Sequence, residues 1–99
     1  MANKMYALMR MILNKATLSL AQLQAGDCAK IVGFCVDDGR LDFLQRLYEV
    51  GFIVGEQLQV MHVAPLSRDP MSIKIKDAVY ALRREDANLI HVARSEIGG

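Results

Sequence analysis

Residues 46–70 read "RLYEVGFIVGEQLQVMHVAPLSRDP", and the change of period inside this stretch decides the fold. Up to Gly51 the apolar residues recur at helical spacing, continuing a pattern that opens near Arg40 with Leu41, Leu44, Leu47 and Tyr48 as the expected buried face. Gly51 stands where a helix ends in a left-handed residue, and Phe52 beyond it supplies the apolar contact that accompanies such a stop. Val54 and Gly55 make a turn, and residues 57–63 then alternate as a strand does. Pro65 and Pro70 bracket a loop, because each lacks a backbone donor and pushes the residue before it out of helical geometry. The stretch holds no nucleophile and no metal-ligand cluster, so it reads as scaffold, with Leu44, Leu47 and Tyr48 closing one mouth of a small barrel.

Working downstream, "MSIKIK" and "VYALR" form a hairpin around Asp77 and Ala78, with Ile73 and Ile75 inward and Ser72, Lys74 and Lys76 outward. "REDAN" allows one helical turn, "LIHV" closes the sheet, and residues 94–99 form a tail. Upstream, residues 28–36 are rich in β-branched side chains and bend at Gly33, as a curved strand would. Before them Ser19 and Gln22 have capping-box spacing, so a short helix over residues 20–24 would pin Leu18, Leu20 and Leu23 to the core. Residues 1–15 stand apart. Met5, Leu8, Met9, Ile12 and Leu13 make one apolar stripe on an amphipathic helix. The expected organisation is a helical extension over 1–15, a barrel domain over 16–93 and the tail. The fold class is mainly β, a five-stranded small barrel with short helices, since closure removes the exposed edges of a flat sheet.

Composition narrows the function. The chain has 99 residues, 53% of them hydrophobic, enough for one modest core and no second lobe. Twelve basic residues against eleven acidic ones exclude a protein built mainly to neutralise phosphates, so no nucleic-acid partner is expected. Two cysteines make no disulfide framework, which fits a reducing compartment. No apolar run reaches the roughly 20 residues that span a bilayer, and Arg10, Asn14 and Lys15 interrupt any signal-peptide core, so a cytoplasmic protein is expected.

The candidates for chemistry are few. Cys28 and Cys35 lack the close spacing of a zinc site and read as buried structural thiols. His62 shares parity with Leu58 and Val60, and His91 lies on the closing strand; each reads as a hydrogen-bonded strand histidine. A four-ligand set of these cysteines and histidines, which would make the chain a transition-metal sensor or chaperone, is the alternative reading, although nothing in the spacing recommends it. Asp37, Asp38, Asp69, Glu85 and Asp86 sit in turns or beside helix starts, where capping explains them. None pairs with a histidine or lysine as an acid–base couple, and no serine lies in a nucleophile elbow. The expectation is no enzyme, no cofactor and no metal site.

The order of these elements resembles a known family. "LSLAQLQAGDCAKIVGF", "RLDFLQRLYEVGFIVGEQLQVMHVAP", "DPMSIKI" and "YALRREDANLIHV" together are similar to FeoA, the small accessory protein of bacterial ferrous iron transport. Leu44, Arg46, Leu47, Gly51, Gly55, Pro65 and Pro70 carry the signature, and each is weak without the others. Val54 stands where the family usually has proline, and Ser67-Arg68 where it tends to have glycine, in a loop one residue longer. The resemblance implies an SH3-like barrel and a partner, the FeoB-type membrane permease with its cytoplasmic GTP-binding region, through which the chain would meet the membrane. Loops held on rigid scaffolds carry function disproportionately, so Leu66, Arg68, Asp69 and Met71 are the candidate partner contacts. The N-terminal stripe has no family counterpart and would serve a homo-oligomer.

Overall fold

The computed structural model describes residues 17–95. The helix expected over 1–15 and most of the tail lie outside them. Among the described residues six strands are present: β1 (Thr17–Ser19), β2 (Cys28–Phe34), β3 (Gln57–Val63), β4 (Met71–Ile75), β5 (Ala78–Leu82) and β6 (Ile90–Arg94). They form one antiparallel sheet in the order β1-β6-β2-β3-β4-β5. The expected five strands are therefore six. The missed one, β1, is only three residues long and has no alternation to show; its pairing with β6 creates it. Strand β6 also runs beyond the expected barrel boundary, with Arg94 opposite Ala29 and the Ser95 amide donating to the Cys28 carbonyl at 2.8 Å.

No hydrogen-bonded ladder joins β1 to β5, so the sheet is not sealed as expected. The two edges are handled differently from a closed barrel: β1 is short, which limits pairing with strangers, and side-chain bonds cross the gap elsewhere. Inside the curl lies one apolar core with no buried polar or charged residue among those described. Leu20, Leu23, Ile31, Phe52, Val60, Met71, Ile73, Ile90 and Val92 are its largest members, and Phe52 meets Tyr80 edge-on with centroids 5.7 Å apart.

Two β-bulges shape the sheet. Ile31 pairs with Val92 and Gly33 with His91, leaving Val32 as an extra residue in β2. Val60 pairs with Ile73 and His62 with Ser72, leaving Met61 extra in β3. An extra residue bends its strand and reverses which parity faces inward.

Helix α1 (Leu41–Val50) follows a 3₁₀ turn at Asp38–Arg40, in place of the simple turn expected there. The Asp37 carboxylate caps that turn by accepting from the Gly39 amide at 3.1 Å. The end of α1 matches the expectation: Gly51 has φ +109, its amide donates to Tyr48 O at 3.1 Å, and the Phe52 amide donates to Leu47 O at 2.9 Å. This is a Schellman stop, and it turns Phe52 straight into the core beside Leu47. The buried face differs. Leu47 is buried and Leu44 half-buried, but Leu41 and Tyr48 are 55% and 58% exposed. Phe43, half-buried with the Arg40 guanidinium 4.9 Å over its ring and packed against the core, lies on the other side of Leu47 from Tyr48, so the buried face is rotated away from the expected one.

The hairpin turn falls at Lys76 and Asp77, one residue earlier than expected, with Ile75 opposite Ala78 and Lys76 at φ +56. The helix expected over 20–24 is a single 3₁₀ turn, Leu20–Gln22, ended by the extended Leu23. The expected capping box is present, with Gln22 Oε1 accepting from the Ser19 amide at 2.8 Å, and the Ser19 hydroxyl also donates to Asn88 Oδ1 at 2.9 Å. The one-turn helix α2 (Arg84–Ala87) lies where "REDAN" placed it.

Candidate functional site

The loop between β3 and β4 carries the expected partner contacts and is held on all sides. Its ends are clasped by the Ala64 amide donating to Pro70 O at 3.1 Å, and a cis bond joins Asp69 to Pro70. Inside, the Ser67 amide donates to Pro65 O at 2.8 Å. The Arg68 guanidinium reaches across the unsealed side of the sheet, where Nη2 donates to Leu23 O at 2.6 Å and to Ala21 O at 3.2 Å. Those carbonyls lie in and just after the 3₁₀ turn, where the last carbonyls of a helical turn have no partner within it. Asp69 Oδ1 accepts from the Arg84 amide at 3.0 Å, capping α2.

The four candidate contacts thus separate. Leu66 is fully exposed, at 103% of its reference area, and sits at the tip of the loop. Arg68 is half-buried and ties the loop down through carbonyls, and Asp69 is exposed and engaged with α2. Met71 is 1% exposed and belongs to the core, because β4 starts there and its side chain takes the inward position opposite Val63 and Leu82. Met71 is therefore no docking residue.

Around the loop the fold assembles residues that are far apart in sequence. Ala21 and Gln22 from the 3₁₀ turn, Arg68 and Asp69 from the loop, and Arg84, Glu85 and Asn88 from α2 line one open hollow of about 670 Å³. Gln22, Arg84 and Asn88 were not among the expected site residues. Nothing local marks them: the β4–β5 register, which sets Met71 opposite Leu82, carries Arg84 to Asp69, and Arg68 ties the loop to the backbone around the 3₁₀ turn.

The sulfur and imidazole groups do not converge. The Val60/His62 bulge turns His62 outward, although it shares sequence parity with Leu58 and Val60; it is exposed opposite Ser72. The Ile31/Gly33 bulge likewise puts Gly33 on the outer side with His91, and Cys35 follows it. Cys35 is exposed and Cys28 half-buried, so the expectation of buried thiols fails for both. His91 is half-buried, with Nε2 buried and lacking a hydrogen-bond partner among the described residues. Burial pushes its pKa below the ordinary 6.5. No group of three or more histidine, cysteine or acidic side chains converges as a metal cage among the described residues. No described helix is long and apolar enough to cross a membrane.

Arg46, part of the family signature, is exposed on α1 and makes no ion pair among the described residues. Leu44, Leu47, Gly51 and Gly55 shape the helix and the turn after it, and Gly55, at φ +97, donates its amide to Ile31 O at 2.8 Å.

Comparison with known proteins agrees with this architecture. The profile of the FeoA domain matches residues 18–94. Over 75 residues, 76% of this chain, the sequence is 43% identical to the Fe(2+) transport protein A/Fe(2+) transporter FeoB fusion protein of Porphyromonas gingivalis, and it spans 8% of that protein's length. The solution structure of iron(II) transport protein A from Clostridium thermocellum superimposes with a TM-score of 0.69 at 32% identity, covering 78% of this chain and 45% of that one. A FeoA from Stenotrophomonas maltophilia, described as a procaryotic SH3 domain protein and solved with zinc, superimposes with a TM-score of 0.68 at 23% identity. That match covers 76% of this chain and 88% of the other, and it places the curled sheet among SH3-like folds.

Proposed function

The chain belongs to the FeoA family, and from that premise we propose that it is an accessory binding protein of ferrous iron transport. It docks on the cytoplasmic side of a FeoB-type permease, at the GTP-binding region, and works there without catalysing a reaction and without a resident metal. The fusion protein of P. gingivalis carries this reading, because there the two modules share one chain. Tethering raises the local concentration of one module at the other by orders of magnitude, and it is useful only where the two act together. A separate chain with the same fold must achieve by surface complementarity what the fusion achieves by a covalent link. The lack of a convergent ligand set among the described residues and the nearly balanced charge, net +1, favour a binding role. Two measurements test it. Deleting the gene should lower ferrous uptake, and the purified chain should be retained by the intact permease but not by one lacking its cytoplasmic GTP-binding region. Undiminished uptake together with no retention would overturn the reading.

A further inference from the structure

Single exposed leucines are common on protein surfaces and need no account. Leu66 differs because the backbone is held in an unfavourable state to present it. Its φ is +67 and that of Arg68 is +62, both in the left-handed region. For residues other than glycine that region costs about 1–2 kcal/mol each. Such strain persists only where the surroundings over-determine it, and it gathers at ligand clamps. Here the surroundings are the Arg68 bonds to Ala21 and Leu23 and the Asp69 bond to α2. The loop is braced, yet its only large apolar side chain points into solvent.

The hollow beside that knob has an uneven charge supply. Both carboxylates lining it are engaged: Asp69 accepts from the Arg84 amide, and Glu85 lies 3.6 Å from the Arg83 guanidinium. Among the described residues neither guanidinium group is paired with a carboxylate. Arg84 makes no ion pair among the described residues, and Arg68 bonds only carbonyl oxygens, through one of its nitrogens. Gln22 and Asn88 add further amide groups to the rim. An arginine fork with free donors is suited to a carboxylate, which it can hold by two parallel bonds.

We propose that Leu66 and the Arg68–Arg84 hollow form one composite docking site for a protein segment that offers an apolar socket beside an acidic side chain. A free anion would leave the braced leucine without a purpose, whereas a protein segment uses both features at once. The proposal rests on the permease reading above and assigns that segment to the permease. Buried apolar anchors and arginines are the residue types that dominate such contacts.

The test measures Kd of the full-length chain for the intact permease in nanodiscs. Leu66→Ala and Arg84→Glu should each weaken binding by about tenfold or more, with circular dichroism spectra unchanged. Arg84→Lys should recover only part of the affinity that Arg84→Glu loses, since lysine keeps the charge but not the two-pronged fork, and raising salt from about 50 to about 300 mM should weaken the wild type more than Arg84→Gln, because only the charged pair is screened. Affinities of Leu66→Ala and Arg84→Glu within about twofold of wild type would overturn the site while leaving the permease reading intact. The site is equally overturned if these variants change self-association instead of permease binding. A wild-type chain that does not bind the permease removes the premise, and the site assignment falls with it.

Discussion

At the scale of single residues, His91 shows how position on the sheet sets chemistry. It lies opposite Ser19 on one side and Gly33 on the other, so a neighbour without a side chain flanks it and its Nε2 is nonetheless shut from solvent. Burial penalises the charged ring and lowers its pKa from 6.5. In the unfolded chain the ring titrates at about 6.5. Between that value and the lower folded one, the unfolded state holds the extra proton. The stability that depends on the neutral ring is therefore complete above about pH 6.5 and is lost as pH falls through the folded pKa. Urea melts of wild type and His91→Phe at about pH 7.5 and about pH 5 should show the wild type losing ground to the variant on acidification. Parallel losses would mean that the ring is solvated in the native state. A histidine on a strand was plain in the sequence, but its environment came from two partner strands distant in the chain.

At the scale of elements, α1 was readable and its orientation was not. The glycine stop and the helical period are local, and both appear where expected. The apolar residues, however, cover nearly half of the helix circumference, from Val50 and Phe43 through Leu47 to Leu41. Which part of that arc is covered depends on the strands beneath it. Packing centres on Leu47, so Leu47→Ala should cost about 2–5 kcal/mol, the usual range for emptying a buried leucine site. Leu44→Ala should cost less than half as much, since that side chain is only half-buried. Denaturant unfolding of the two variants checks the order, and a larger loss at Leu44 would mean a rotated helix. The bulges at Val32 and Met61 make the same point for strands. Alternation predicts faces only while the ladder is regular, and an extra residue reverses every position after it. His62 and Cys35 moved to the outer side for that reason.

At the scale of the whole molecule, every described core residue lies between Leu20 and Val92, and β1 begins at Thr17. Removing residues 1–14 should therefore leave the circular dichroism spectrum of the sheet intact, with a melting temperature within about 5 °C of the full chain. If the stripe of Met5, Leu8, Met9, Ile12 and Leu13 serves self-association, sedimentation velocity should shift toward monomer in the same variant. A truncated chain that fails to fold would place the first residues in the core instead.

What the sequence determined by itself were the features set by neighbours along the chain: the helix and its glycine stop, the period-2 strands, the proline-bracketed loop and the family to which they belong. Propensity, capping and alternation act over a few residues, so they are written locally. The tertiary structure decided what depends on pairing across the chain. It made Thr17–Ser19 a strand, left the ladder open between β1 and β5, buried Met71 and exposed Tyr48. It also joined Gln22, Arg68 and Arg84 around one hollow. Residues separated by tens of positions meet only once the sheet has curled, and hydrogen bonds across its open side, such as those of Arg68, hold them there.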